Sequence, residues 1–234
     1  MKFDFRILLI IFLAIFFILK IVYSIVDGST TSLLWFCFVN LGILIVGLIL
    51  LNDDLIGSVL ISSFLIEILW LSDLIGFFTR KKLIFGIANY LFGMNNFEIL
   101  LTSYHFFLIV IPLYIILKKK RISSYSWIFS ALFFLLTMLA SSVLTKFGNI
   151  NCIRNYCSIG VFDFLYILKP ENVSFFVFNW LFHVLFIFIP TYGLFYFITL
   201  KKNFCFSSVL NFLVIYFLIV NILLIAGYFS PIIF

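Results

Sequence analysis

Apolar runs of about 20 residues, each long enough to cross a bilayer as a helix, recur from one end of this sequence to the other. In hydrocarbon every backbone N–H and C=O must be satisfied inside the protein, so runs of this length and continuity read as helices. Marking the chain at that length gives seven candidate spans, at 7 to 26, 31 to 51, 55 to 78, 97 to 117, 125 to 144, 173 to 200 and 206 to 228. Composition agrees. Of 234 residues 65% are hydrophobic, 35 are Phe and only 10% are charged, too little polar surface to cover a globule in water. A soluble enzyme, a disordered chain and a nucleic-acid-binding protein are excluded on that ground. The expected fold is an all-α polytopic transmembrane bundle of about seven helices, or six with one peripheral, forming a single transmembrane domain over residues 1 to 234.

The first run follows Lys2 and Arg6 like a signal peptide, but it is too long, carries Lys20 and lacks a small-residue cleavage site, so it is expected to stay as a helix. Residues 83 to 92 are too few to cross and are expected at the interface, and 146 to 171 is the one long connection. The net charge of +6 sits in short clusters between runs: Lys118, Lys119, Lys120 and Arg121, then Arg80, Lys81 and Lys82, then Lys201 and Lys202. Positive flanks of this kind set topology and favour anionic headgroups. With the N terminus inside, eight Lys and Arg flank the inner ends of the spans and six the outer ends, a small bias toward that orientation. The four cysteines have no C-x-x-C spacing, so they form neither a redox nor a zinc motif of that kind.

An ionisable group inside a span costs about 2.5 to 3.5 kcal/mol on insertion scales, so each one needs a reason. Cys37 and Asn40 lie near the start of the second span, Glu67 and Asp73 in the later half of the third, and His105 and His183 in the early halves of the fourth and sixth. Because successive spans alternate in direction, all of these fall in the same half of the bilayer, on the side of the 146 to 171 loop. Helical spacing places Cys37 with Asn40, Ser63 with Glu67 and Trp70, Glu98 with Thr102 and His105, and Asn179 with His183. Four helices would then turn polar stripes toward one pocket. The plainer account is that these groups join the helices through hydrogen bonds worth about 0.6 to 2 kcal/mol each. His105 and His183 are each followed by Pro seven residues on and Tyr nine residues on, which hints at an internal duplication with a period of 78 residues, around 97 to 120 and 174 to 202.

Nucleophilic catalysis needs a thiol or hydroxyl within reach of a base. Cys37 and His105 stand at comparable depth on the same side, and Glu67 or Asp73 could orient the imidazole. The plainer role for Cys37 is that of a small buried hydrophobe. The run Cys37, Phe38, Val39, Asn40, Leu41 opening an apolar helix, followed later by Ser103, Tyr104, His105 and Pro112, resembles the androgen-induced-protein family of membrane fatty-acid-ester hydrolases. That resemblance implies a nucleophile at Cys37 and a base at His105, with Asn40 standing where those hydrolases have an acid. The run Phe147, Gly148, Asn149, Ile150, Asn151, Cys152 is similar to a Gly/Asn-rich motif of uncharacterised prokaryotic membrane proteins, with Cys152 where an aromatic is usual. It implies the cell membrane of a prokaryote as the location.

The expected catalytic set is Cys37, His105, Asp73 and Glu67, and the expected substrate-binding set is Asn40, Thr102, Asn149, Asn151 and His183. No metal and no cofactor is expected, since no phosphate-binding Gly loop, H-E-x-x-H, G-x-S-x-G or dinucleotide fingerprint occurs. Membrane lipids are the expected partners, nucleic acid is not, and nothing points to a protein partner. Two other functions stay open on the sequence. Glu67, Asp73, His105 and His183 would serve a proton-coupled transporter, and a non-catalytic assembly protein needs only the packing. Thiol chemistry by Cys152 and Cys157 is a further alternative.

Overall fold

In the computed structural model of the chain, which describes residues 5–145 and 174–200, the apolar runs are helices and no strand occurs among the described residues. Six helices are described: α1 (Phe5–Val26), α2 (Phe36–Leu50), α3 (Asp53–Arg80), α4 (Asn96–Lys119), α5 (Ser126–Leu144) and α6 (Phe175–Leu200). All but α2 are long and apolar enough to cross a membrane. The expected span at 206 to 228 and the connection at 146 to 171 lie outside the described residues.

The expected second span needs correction. Residues 31 to 51 do not make one helix: a 3-10 turn at Thr30–Leu34 and an extended Trp35 (φ −63°, ψ 134°) precede the 15-residue α2. At 1.5 Å per residue α2 reaches about 22 Å, short of a hydrocarbon core near 30 Å. The cause is the polar run Ser29, Thr30, Thr31, Ser32, whose hydroxyls compete with helical hydrogen bonding. Ser32 bonds Ser24 of α1, Oγ to Oγ at 3.0 Å. The late start puts Cys37 in the first turn of α2, where the helix dipole attracts developing negative charge.

Helix α3 is the central element, packed by α2, α4, α5 and α6. Its apolar stretch is 72% buried against 6% for α1, whose Ile7, Ile11, Ile15, Ile18, Val22 and Ile25 form an outward apolar stripe. Small residues let α5 approach α3 closely, as is usual where lipid supplies no hydrophobic drive. A Cβ on Gly57 would lie 2.3 Å from Ser126 Oγ, and Ser130 Oγ donates to the Ser58 carbonyl at 2.8 Å. At the far end from Cys37, the carboxylate of Asp53 opening α3 pairs with Lys119 and, at 2.8 Å, with Arg121. The densest basic cluster therefore also clamps α4 to α3.

Three breaks interrupt the helical run. Leu51 is left-handed (φ 54°) and Asn52 caps α3 by accepting from the N–H groups of Asp54 and Leu55, so α2 turns back into α3 within two residues. In α4 the segment Asn96–Thr102 is interrupted at Ser103 before the helix resumes at Tyr104–Lys119. In α6 a π-helical turn, His183–Phe188, interrupts the α-helical pattern.

Candidate active site

The tight α2–α3 turn fixes the depth of the functional side chains. Cys37 lies 13 residues before the end of α2 and Glu67 lies 14 residues after the start of α3, so the two antiparallel helices bring them to one level. The break at Ser103 does the same for α4. It resets the helix so that the consecutive Tyr104 and His105 both turn inward, 3% and 6% exposed.

His105 is enclosed on three sides. Its Nδ1 lies 2.6 Å from Oε2 of Glu67, itself 2% exposed. Trp70, one turn further along α3 from Glu67, stacks on one ring contact at 4.5 Å between centroids, and Tyr104 stacks at 4.4 Å. The Cys37 thiol joins this cluster through Tyr104, sharing a hydrogen bond with its hydroxyl, Sγ to Oη at 3.4 Å. Cys37 is a free, half-buried thiol. With Nδ1–H donated to Glu67, the neutral tautomer leaves the Nε2 lone pair as the acceptor for a thiol proton.

The remaining expected site residues are placed elsewhere. Asp73 does not reach the imidazole network: Oδ1 accepts from the backbone N–H groups of Ile84 (2.8 Å), Phe85 (2.6 Å) and Gly86 (3.3 Å), and Oδ2 from Ala88 (3.0 Å). It anchors the strap that follows α3. Asn40 Nδ2 donates to Ser62 Oγ at 2.9 Å and Ser63 Oγ at 3.0 Å, joining α2 to α3. Thr102 donates back to the Ile99 carbonyl at 2.7 Å within its own helix. Glu98, placed with them by spacing, instead closes a capping box with Asn95, accepting from its N–H at 2.7 Å. His183 bonds the Asn179 carbonyl through Nδ1 at 2.9 Å and packs against Phe134 at 4.4 Å, apart from the Glu67 pair. Asn149 and Asn151, with Cys152 and Cys157, lie outside the described residues.

Sequence reasoning missed Tyr90. It stands in a 3-10 turn, Asn89–Gly93, on the strap between α3 and α4, and its hydroxyl accepts a hydrogen bond from the Trp70 indole N–H. Ala88 and Leu91 of the same strap are fully buried against Trp70. The only sequence signal was an apolar, aromatic-bearing run too short to cross the bilayer. Among the described residues no group of three or more His, Cys, Asp or Glu is gathered to hold a metal ion. Searches against protein-family models, curated proteins and solved structures find no match for this chain.

Proposed function

We propose that this chain is a membrane-embedded acyl-ester hydrolase or acyltransferase in which Cys37 is the nucleophile, His105 the general base and Glu67 the residue that orients the base. The observation that carries this is the His105–Glu67 pair at 2.6 Å with the Cys37 thiol bonded to Tyr104, whose ring stacks on that imidazole, where α2, α3 and α4 meet. A histidine buried for packing alone has no need of a carboxylate on one edge. In the reaction, Cys37 passes its proton to Nε2 and the sulfur attacks the acyl carbon of an ester drawn from the bilayer. His105 returns the proton to the departing alcohol, and water or another acceptor takes the acyl group from sulfur. Lipid is the expected source of substrate because the outward apolar stripe of α1 runs to its last turn, where Ser24 bonds Ser32 just ahead of α2 and Cys37. The basic flanks favour an N terminus inside, which opens the site in the outer leaflet of a prokaryotic cell membrane.

The test is turnover of a medium-chain p-nitrophenyl ester by the full chain in proteoliposomes. Cys37→Ala and His105→Ala should each remove at least about 100-fold of the rate, the low end of what general-base and nucleophile losses cost. Equal hydrolysis by wild type and both variants would contradict the assignment. Proton flux across the same vesicles that is lost in Glu67→Gln, with no ester turnover in wild type, would favour transport instead.

A further inference from the structure

Tyr104 rests its hydroxyl on the sulfur of Cys37, Oη to Sγ at 3.4 Å, and its side chain is buried at 3% exposure. Sulfur is a weak acceptor, and among the described residues that sulfur is the only hydrogen-bond partner of the hydroxyl. The ring is fixed from two sides. It stacks on His105 at 4.4 Å between centroids, and the buried Phe38, next to Cys37 in α2, meets it edge-on at 6.2 Å. Helix α2 therefore holds Tyr104 twice, by the ring of Phe38 and by the thiol of Cys37. Cys37 itself is half-buried, at the margin of the packed cluster that contains Phe38 and Tyr104.

We propose that Tyr104 is the oxyanion donor of this site: its hydroxyl rests on the Cys37 sulfur before reaction and passes to the carbonyl oxygen of the acyl ester when that sulfur attacks. The inference rests on the acyl-transfer reading given above. Once Cys37 has given up its proton, the phenol is the member of the pair with a hydrogen left to donate, so the 3.4 Å contact then has one direction. As the S–C bond forms, the C=O π pair moves onto oxygen, and that oxygen stands two bonds from the sulfur. A donor already touching the sulfur is within reach of it. The sulfur has meanwhile lost its charge to the new bond, and the oxyanion is the stronger acceptor, so the hydrogen bond transfers while Tyr104 keeps its proton. Collapse restores the C=O, breaks the bond to the departing alkoxide, and His105 protonates that alkoxide with the proton taken from Cys37. A donor fixed beforehand, in a place screened from water, is what makes such stabilisation large.

The experiment compares two reactions of the same thiol in the full chain in proteoliposomes. Acylation by the p-nitrophenyl ester builds an oxyanion; alkylation by iodoacetamide displaces iodide and builds none. Both need the thiolate, so the ratio of the two rates cancels any change in its supply. Tyr104→Phe should lower the ratio of acylation to alkylation about 100- to 1,000-fold, as loss of one oxyanion donor does. A ratio equal to that of wild type overturns the proposal, whether both rates hold or both fall together, and a parallel fall would mark Tyr104 as a packing residue. A ring-fluorinated tyrosine at position 104 covers the case in which Tyr104→Phe does not fold. It keeps the ring and strengthens the donor, so the ratio should rise, and an unchanged or lower ratio overturns the proposal. Failure of the parent reading is separate: Cys37→Ala would then hydrolyse the ester as fast as wild type.

Discussion

His105 owes its orientation to neighbours that leave it little freedom. Trp70 and Tyr104 stack on it within 4.5 Å, and Glu67 holds Nδ1 at 2.6 Å. Taking a carboxylate out of water is expensive, and breaking a buried pair by deleting one partner costs about 3 to 5 kcal/mol, because the other group is left uncompensated. Glu67→Gln keeps the shape but offers no fixed acceptor, so the imidazole loses its preferred tautomer. In comparable triads, exchanging the orienting acid for its amide costs about 10⁴-fold in turnover. The account predicts that Glu67→Gln lowers kcat by about 100-fold or more with KM little changed, read by ester turnover at saturating substrate. A raised KM at unchanged kcat would move Glu67 from orienting to substrate binding. The interest of Glu67 and His105 was legible in the sequence, because an ionisable residue in a span is rare and needs a partner. Their pairing with each other was not. Helical spacing gives a face and a depth but not which of two carboxylates on α3 reaches the ring, and Asp73 was equally eligible until its backbone partners were seen.

The strap between α3 and α4 is anchored at its start by Asp73, with Trp70 bonding Tyr90 and covering Ala88 and Leu91 further along. After α3 the chain reverses at Lys81 (φ 54°) and Gly86 (φ 79°), and a Cβ on Gly76 would lie 2.5 Å from the Lys82 carbonyl, so the close return depends on glycine there. Asp73 then accepts from four backbone N–H groups with its two oxygens. Asparagine has one such oxygen and would present N–H donors where the other stood. Asp73→Asn should therefore leave at least one buried donor unpaired, at about 1 to 3 kcal/mol. Hydrogen exchange of the amides at 84–88 should rise accordingly, while exchange in α5 stays as in wild type. Exchange at 84–88 unchanged by the substitution would show that the strap is held by its apolar contacts at Ala88 and Leu91 instead. Residues 83 to 92 were legible from length alone as a segment too short to cross, and they form no long helix. Their attachment to the site was not, because it runs through main-chain donors that carry no residue signature. The short α2 was misjudged for a related reason: an apolar count sees Leu33, Leu34 and Trp35 but not the local hydrogen bonding that starts the helix at Phe36.

At the scale of the whole molecule, most of the apolar residues are interchangeable contacts with lipid or neighbouring helices, and the helical bundle follows from them. The alternation of helix direction carried further than composition: it placed Glu67 and His105 in one half of the bilayer, and the two bond each other at 2.6 Å. It could not separate them from His183, which bonds Asn179 and lies against Phe134 instead. The central claim is that an acyl group passes through Cys37, and trapping that intermediate tests it most directly. Full-length protein turning over a medium-chain ester in proteoliposomes, quenched in acid and digested, should show the acyl mass on the peptide containing Cys37, removable by neutral hydroxylamine as a thioester is. The same peptide from His105→Ala should be acylated at least about 100-fold more slowly. Ester turnover with Cys37 unmodified throughout, or with the acyl group on another residue, would contradict the account.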